Sequence, residues 1–339
     1  MKTTICALCL LGATSLQARD YSTFDFPSQI EGSKTLLTGI RRVDSNHDKV
    51  YISGFYKCPE EACVVPFVYK GHLDGDGVWS ILNFPSSDGV TVVATNLYGP
   101  NNGKDGDIRV VGNYTTEETG EATLGCLYEG PLDGTGKWTT LIPTSTSPVL
   151  NTIAHSTHGN FVVGNYDTQI DEGKAFIYDL KHEVYYEIVK ENALSITAYG
   201  IWHNGGHFYT ICGGFSDVDA IDNFESGYLV DWDSKHKRLS NWRTFNYNND
   251  PEHAHITHFD GITTDKKGGY YLTGDWINLV EGQNGFFCHV KKDATVGIWS
   301  NITYPGAEVT SGNSVYKKVV IGVYAEEADD SVHGYISRP

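Results

Sequence analysis

The hydrophobic positions of this chain fall in short runs that are separated by polar, glycine-rich turns. One signature returns six times: an apolar run, a glycine, any residue, and an aromatic residue. It occurs as YISGFY, VVGNY, VVGNY, ICGGF, LTGDW and VIGVY, with the glycines at Gly54, Gly112, Gly164, Gly213, Gly274 and Gly322. Short apolar runs bounded by turn residues are typical of buried β-strands. Their spacing, from 48 residues (Gly274 to Gly322) to 61 (Gly213 to Gly274), lies near that of propeller blades.

Further strands surround the signature in each unit. A strand before it contains an apolar anchor, and the six anchors are Ile40, Leu97, Ile153, Ile201, Ile262 and Val315. A third and a fourth strand follow it, but the last unit ends after its third strand. The missing fourth strand resembles YSTFDFPS at residues 21–28, near the start of the chain. We therefore predict an all-β, six-bladed β-propeller of four-stranded blades, one domain over residues 19–339, closed by its N-terminal strand. A β-sandwich would not explain a register that repeats six times.

The last unit resembles the bacterial extracellular HAF-type repeat, in which a Pro-Gly-Ala turn, an Ile-Val-Gly-x-Tyr strand and a His-Gly-Phe strand follow one another. The matching residues are Pro305, Gly306, Ala307, Gly322, Tyr324, His333 and Gly334. This resemblance implies a secreted propeller and no particular reaction. The overall plan is also similar to secreted fungal propellers encoded beside toxin and secondary-metabolite genes. That similarity implies cofactor-free cyclisation as an activity to test.

The N-terminal segment MKTTICALCLLGATSLQA, residues 1–18, has a lysine, a short apolar stretch and a small-residue end. These features are typical of a secretory signal peptide cleaved near Ala18. No later run of 18 apolar residues follows, so we expect a secreted protein that does not span a membrane. We also expect it to be a monomer.

A secreted protein folds in an oxidising compartment, where disulfides can form. Cys58 and Cys63, in KCPEEAC, are expected to form a disulfide, and Cys126, Cys212 and Cys288 to be buried thiols. The cysteine spacing fits no metal site, and we expect neither a metal nor a cofactor. Glycosylation sequons begin at Asn113 and Asn301, of which Asn301 is expected to be the more accessible.

The formal charge of −17 argues against binding to nucleic acid or to an anionic membrane. In a propeller, loops between the second and third strands emerge on one face, and here they are acidic in every unit. The opposite turns carry most of the basic residues, including Arg41, Arg42, Lys266 and Lys317. This segregation would favour cationic or metal-bound ligands at the acidic face, although loops that are acidic for solubility alone would look the same.

A polar residue stands two positions before each apolar anchor of the first strands. The six residues are Thr38, Thr95, Asn151, Tyr199, Asp260 and Asn313. They predict either a water-filled axial channel or an axial ligand site. Asp260 is the only carboxylate among them. Burial in a narrow channel would raise its pKa and suit it to act as a general acid.

Histidines form two groups along the chain. His253, His255 and His258 lie just before Asp260 in PEHAHITHFDG, where we expect hydrogen-bonding or acid–base roles in preference to a metal. His155 and His158 in AHSTHG, and His203 and His207 in WHNGGH, are expected in neighbouring turns, where capture of a transition metal is the alternative to simple exposure.

Three functions remain open from the sequence. The first is binding of a small or medium organic ligand at the top of the axis, with contacts from Tyr199, His258 and Asp260 and with His253, His255 and the loop carboxylates at the rim. The second is cofactor-free cyclisation or isomerisation at the same place, with Asp260 protonating and His258 or Tyr199 stabilising the developing charge. The third is a non-catalytic protein- or glycan-binding module.

Overall fold

The computed structural model describes residues 19–60, 63–170, 173–218, 224–278, 282–326 and 331–338. The predicted signal peptide, residues 1–18, lies outside these ranges, as do the loop carboxylates Glu61, Asp171, Glu172, Asp219, Asp222, Glu281, Glu327, Asp329 and Asp330. The described residues form strands and two single 3₁₀ turns, Lys104–Gly106 and Tyr247–Asn249. No helix among them is long and apolar enough to cross a bilayer.

The strands follow one another with short connections. They are β1 (Asp20–Thr23), β2 (Lys34–Val43), β3 (Asn46–Lys57), β4 (Val64–Gly71), β5 (Val78–Ile81), β6 (Val92–Asn102), β7 (Ile108–Thr116), β8 (Leu124–Gly130), β9 (Lys137–Leu141), β10 (Val149–His158), β11 (Phe161–Thr168), β12 (Lys174–Asp179) and β13 (Val184–Ile188). The second half contains β14 (Ala193–Gly205), β15 (Phe208–Asp217), β16 (Glu225–Asp233), β17 (Arg238–Phe245), β18 (Ile256–Thr257), β19 (Gly261–Thr264), β20 (Tyr270–Asn278), β21 (Gly282–Val290), β22 (Ile298–Ile302), β23 (Val309–Tyr316), β24 (Val319–Ala325) and β25 (Val332–Arg338). The predicted all-β class is confirmed.

Strand pairing is antiparallel within successive meanders. These are β2–β5, β6–β9, β10–β13, β14–β17, β18–β22, and β23–β25 with β1. Single parallel pairs, Lys34 with Val332 and Glu225 with Ile256, join two of the meanders to a neighbour. The strands therefore belong to four hydrogen-bonded sheets of eight, four, nine and four strands.

The first strands of the meanders surround a common axis. β2 contacts β6, β6 contacts β10, β10 contacts β14, β14 contacts β19, β19 contacts β23, and β23 contacts β2 again. Short outer strands lie at the far edge of each meander, where their side chains are more exposed than those of the inner strands. Radially packed antiparallel sheets of this kind define a β-propeller.

The N-terminal strand pairs with the C-terminal strand, as predicted. β1 runs antiparallel to β25, from the pair of Asp20 and Arg338 to that of Thr23 and Tyr335. The backbone N–H of Phe24 extends the contact by donating to the carbonyl of Gly334 at 2.7 Å. The strand is shorter than the predicted segment, because the Phe26 N–H donates to Thr35 Oγ1 of β2 and not to β25. β1 thus protects an edge of β25 that would otherwise be open to another chain.

The repeated glycine has a steric cause. In every meander it faces a carbonyl of the neighbouring inner strand so closely that a Cβ would lie between 1.8 and 2.1 Å from the oxygen. The six glycines and the residues that supply the carbonyls are Gly54 with Leu36, Gly112 with Asn96, Gly164 with Ile153, Gly213 with Thr197, Gly274 with His258, and Gly322 with Ser311. Only glycine allows such a close approach of two backbones.

The aromatic residues Tyr56, Tyr114, Trp276 and Tyr324, which follow the signature glycine, stack on the end of the preceding outer strand. Ring centroids are 3.8 Å apart for Phe84 and Tyr114, and 3.6 Å apart for Tyr304 and Tyr324. A buried threonine of the inner strand holds the same segment, since Thr95 Oγ1 accepts the backbone N–H of Phe84 at 3.1 Å. Equivalent pairs are Thr35 with Phe26, Thr257 with Tyr247, and Thr310 with Tyr304. Neighbouring meanders are therefore joined by both stacking and hydrogen bonds.

The cysteines behave as the sequence predicts. Cys58 and Cys63 form a disulfide with a Cα–Cα distance of 5.3 Å. Cys126, Cys212 and Cys288 are free and buried, so both predictions are confirmed.

Candidate functional site

A cavity of about 220 Å³ lies on the axis, enclosed by the inner strands. We call it the axial cavity. Its apolar wall comes from Leu36, Ile40, Phe55, Pro100 and Ile262, and its polar wall includes Thr38, Arg41, Tyr98, His155, Ser156, Tyr199, Asp260, Asn313 and Ser314. A mixed lining with a few polar groups is typical of small-molecule sites.

One residue from each inner strand reaches the axial cavity at an irregularity of the strand. The six residues are Thr38, Tyr98, His155, Tyr199, Asp260 and Asn313, which we call the axial ring. Five of them lie at register shifts in the pairing with the second strand. Asp260 lies in the interruption between β18 and β19. Such bulges redirect a side chain that would otherwise follow the alternation of the strand.

The residue predicted to face the axis is correct in four of the inner strands and wrong in β6 and β10. Tyr98 and His155 occupy the axial positions predicted for Thr95 and Asn151. Thr95 is 1 % exposed and holds the backbone of Phe84, as described above. Asn151 lies away from the cavity and accepts the backbone N–H of Thr123 at 3.0 Å. Neither residue lines the axial cavity.

Three members of the axial ring are held by protein partners. Thr38 Oγ1 donates to the carbonyl of Leu97 at 2.7 Å, and Asn313 Nδ2 donates to that of Leu37 at 2.6 Å. Each of these bonds links one inner strand to the next. His155 bonds through Nε2 to Asn165 Oδ1 at 2.5 Å. Burial lowers the pKa of His155 to about 4, so the ring is neutral at neutral pH and Nδ1 is left as an acceptor.

Asp260 differs from these three residues. Its carboxyl borders the axial cavity but accepts no hydrogen bond from the part of the chain that the structure describes. Burial, together with the nearby carboxyl of Asp275, raises its pKa well above the ordinary value. Asp275 accepts bonds from the Gly312 N–H at 3.0 Å and from Gln283 Nε2 at 3.1 Å. Hydrogen bonds favour the charged form of a carboxyl, so Asp260 is the member of the pair that holds a proton.

Two tyrosines and a histidine form an aromatic wall beside Asp260. The His155 ring meets Tyr98 at 5.1 Å and Tyr199 at 4.6 Å, both edge to face. Burial, and then the neighbouring Asp260 carboxyl, raise the pKa of Tyr199, while burial raises that of Tyr98 to about 12. Both hydroxyls therefore keep their protons at neutral pH. The wall can donate hydrogen bonds and pack against an apolar ligand without carrying charge.

His258 lies near this wall but does not line the cavity. Its ring is 5.9 Å from that of Tyr199, and its Nε2 bonds to the carboxylate of Glu225. The hydrogen bond from His258 outweighs burial and lowers the pKa of Glu225. His258 therefore orients Glu225. Its ring would have to rotate toward the axial cavity before it could contact a ligand there.

His253 and His255 lie apart from the axial cavity. His253 is exposed and bonds to Asp250 at 2.9 Å, beside a separate surface depression with Trp276. His255 packs against Phe224 at 4.6 Å, and its buried Nδ1 has no partner in the described part of the chain. The structure therefore does not bring these two histidines together with Asp260.

The pairing of His253 with Asp250 belongs to a recurring turn. In the sequences DLKH, DSKH and DPEH the aspartate accepts both a backbone N–H and the Nδ1 of the histidine three residues later. The turns end at His182, His236 and His253. Asp179, in the first, also accepts Lys237 Nζ at 3.3 Å. These contacts explain the turns without a metal.

The second predicted histidine group does not form one cluster. His155 is in the axial cavity, whereas His158 Nδ1 accepts the backbone N–H of His203 at 3.0 Å. His207 lies instead beside Asp233 and His236, and three ligand atoms of this trio lie within 4.8 Å of one another. The expected exposure is therefore wrong, since none of the four histidines is fully exposed, and the alternative of one metal site shared by all four imidazoles is not formed by the described residues.

The two sequons differ in accessibility, as predicted. Asn301 is exposed, and its Oδ1 accepts the indole N–H of Trp276 at 2.9 Å. Asn113 is 2 % exposed and accepts the side-chain amide of Asn96. A glycan could be attached to Asn113 only before the strand is buried.

Comparisons with known proteins identify no family. No family model matches the chain, and no curated protein matches it. Similar solved structures include a Bacillus subtilis levansucrase in complex with oligosaccharides, at 7 % identity and a TM-score of 0.49 over 91 % of this chain and 92 % of that one. A B. megaterium levansucrase has 10 % identity and a TM-score of 0.45 over 92 % of this chain and 87 % of that one. A glycoside hydrolase has 10 % identity and a TM-score of 0.46 over 84 % of this chain and 93 % of that one. At this level of similarity we assign the chain neither a family nor an activity.

Proposed function

We propose that the protein is a propeller of six four-stranded blades that binds a small organic ligand in its axial cavity. The observation that carries this proposal is the Asp260 carboxyl, which borders the cavity without a hydrogen bond from the described residues. Asp260 is partly exposed, so its carboxyl is accessible from the cavity. A ligand in the cavity can therefore supply the hydrogen bond that the protein does not, and a concave site with a few such polar groups is typical of ligand binding.

The cavity wall indicates the chemistry of this ligand. A protonated Asp260 and the hydroxyls of Tyr98 and Tyr199 offer hydrogen-bond donors, which suit a carbonyl, ether or hydroxyl oxygen. Phe55 and Ile262 supply apolar surface. The ligand class is therefore a compact, uncharged organic molecule with one or two oxygen atoms.

Ligand-observed NMR with a panel of small phenols, cyclic ketones and cyclic alcohols tests the proposal. We expect at least one compound to bind with an affinity that Asp260→Asn changes by about tenfold, the effect of one hydrogen bond to a buried group. Asp88→Asn is the matched control, since Asp88 is exposed and does not line the axial cavity. Equal binding by the two variants, or no binding by the unmodified protein, would contradict an axial site.

A second candidate function is cofactor-free acid chemistry in the same cavity, such as a cyclisation or an isomerisation. The raised pKa of Asp260 favours it, because a carboxyl that remains protonated near neutral pH can act as a general acid. Tyr199, in contact with the same cavity, would stabilise the negative charge that forms. A variant that keeps affinity for a compound but no longer converts it, as followed by mass spectrometry, would favour this function over binding alone.

We also propose that the protein is secreted and acts as a monomer. The N-terminal segment and the disulfide between Cys58 and Cys63 support secretion. N-terminal sequencing of the protein from culture medium tests the cleavage near Ala18.

A further inference from the structure

A second cavity lies at the end of the axis where the inner strands finish. It measures about 360 Å³ and shares Arg41 with the axial cavity. We call it the basal cavity. Its other lining residues are Arg42, Asp44, His47, Asn101, Asn102, His158, Trp202, Thr263, Thr264, Lys266, Tyr316 and Lys317. The function proposed above makes no use of it.

The basal cavity is basic in an acidic protein. Among the described residues, Arg41, Arg42, Lys266 and Lys317 line it against one carboxylate, that of Asp44. Arg42 pairs with this carboxylate at 3.0 Å, so Asp44 is not available to the other three cations. The whole chain carries a formal charge of −17. The cavity therefore concentrates positive potential at one place, which attracts anions.

Arg41 is the deepest of these cations. Its Nε is buried, and no described residue accepts its proton. The guanidinium lies 5.2 Å from the ring centre of Trp202, and no carboxylate of the described residues pairs with it. Burial lowers the pKa of Arg41 to about 10, which still leaves it charged at neutral pH. A buried charge without a counter-ion is costly, and an anion in the basal cavity would remove that cost.

The neighbouring polar groups are already arranged around this position. His158 Nδ1 accepts the backbone N–H of His203, so its proton is on Nε2 and remains available as a donor. Asn102 is used by the protein on both sides of its amide, donating to the carbonyl of Arg42 and accepting the N–H of Asp44. Lys266 and Lys317 are exposed at the mouth of the cavity. The hydrogen-bond donors that remain available to a ligand are thus the neutral His158 and the two lysines, and they line the same cavity as Arg41.

We propose that the basal cavity binds a small oxyanion, held by the Arg41 guanidinium and attracted by Lys266 and Lys317. Carboxylate, phosphate and sulfate share the geometry that a guanidinium fork recognises with two parallel hydrogen bonds. The site is separate from that proposed for the uncharged ligand, which depends on Asp260.

Titration calorimetry with inorganic phosphate, sulfate and acetate, at low ionic strength, tests the proposal directly. Low salt matters because screening weakens the contribution of exposed lysines. We expect saturable binding of at least one anion, and an affinity about tenfold or more lower in Arg41→Gln. Binding of phosphate or sulfate without acetate would identify a tetrahedral oxyanion as the ligand. Binding of acetate without the other two would identify a carboxylate. Either result supports the site.

A second pair of variants protects the test from a folding defect in Arg41→Gln. The double variant Lys266→Gln/Lys317→Gln changes exposed residues at the mouth and should weaken binding about threefold to tenfold. Lys34→Gln/Lys57→Gln makes the same change in net charge at exposed positions at the opposite end of β2 and β3 and should leave the affinity unchanged. The proposal is overturned if none of the anions binds saturably or if the two double variants bind equally. It is also overturned if only Arg41→Gln matters, because that would place the anion in the axial cavity.

Discussion

Replacing Asp260 by asparagine should stabilise the protein, and by more as the pH rises. The carboxyl is surrounded by protein except where it borders the axial cavity. Burial and the charge of Asp275 raise its pKa well above the ordinary value. Asparagine has almost the same shape as a protonated aspartic acid and carries no charge at any pH. The variant therefore keeps the packing and removes the cost of keeping a carboxyl neutral.

The magnitude follows from proton linkage. Above the ordinary aspartate pKa of about 4, the unfolded chain releases the Asp260 proton while the folded chain keeps it. The folded state then binds more protons, so the free energy of unfolding falls with pH by about 1.4 kcal/mol per pH unit. This loss continues up to the raised pKa of the folded state. Asp260→Asn removes this dependence, so its advantage should be near zero at about pH 4 and grow by about 1.4 kcal/mol for each pH unit within that window.

Urea unfolding of both proteins at several pH values measures the effect. Plotting the difference in the free energy of unfolding against pH isolates Asp260, because the other ionisable groups are common to both. Asp88→Asn, at an exposed position, controls for the loss of one carboxyl group from the unfolded chain. A variant that is less stable than the unmodified protein, or a difference that does not change with pH, would show that Asp260 is ionised and compensated in the folded state.

Three further predictions concern stability. The hydrogen bonds to Asp179 outweigh its burial and lower its pKa, so the stability it provides is complete above about pH 4 and lost as the pH falls through the folded pKa. Asp179→Asn should cost about 2 kcal/mol at neutral pH, and urea unfolding at acidic pH should show a smaller loss. Thr95→Val should cost about 1–3 kcal/mol, because the partly buried N–H of Phe84 loses its acceptor, while leaving binding in the axial cavity unchanged. Replacing Cys58 and Cys63 by serine should lower the free energy of unfolding by about 2 kcal/mol through loss of a short closed loop, and a reducing agent should have the same effect on the unmodified protein.

The fold could be predicted because its signal repeats. Each of the six signature glycines is required by a close carbonyl, and the following aromatic residues Tyr56, Tyr114, Trp276 and Tyr324 stack on the preceding outer strand. Both requirements are local, so they leave a regular trace in the sequence. The pairing of β1 with β25 could be predicted as well, since Phe26 and Phe84 precede proline in matching outer-strand segments.

The axial ring could be predicted only in part because the hairpins between first and second strands differ in length. From the ring residue to the signature glycine the chain runs nine residues in one meander (His155 to Gly164) and sixteen in another (Thr38 to Gly54). Counting from the nearest apolar residue therefore gave Thr95 in place of Tyr98. The sequence shows that Arg41 belongs to the basic turns. Its burial between two cavities depends on Trp202 and His158, which come from other meanders.

One structural feature connects the repeat with the site. The carbonyl that crowds each signature glycine belongs to the residue two positions before a member of the axial ring, as Thr197 precedes Tyr199 and His258 precedes Asp260. The irregularity that presses this carbonyl toward the second strand also redirects the ring residue toward the axis. The fold therefore fixes the glycine and leaves the ring residue free to vary. This freedom explains why threonine, tyrosine, histidine, aspartate and asparagine all occur at equivalent positions, and why the chemistry of the cavity depends on which residue each strand supplies.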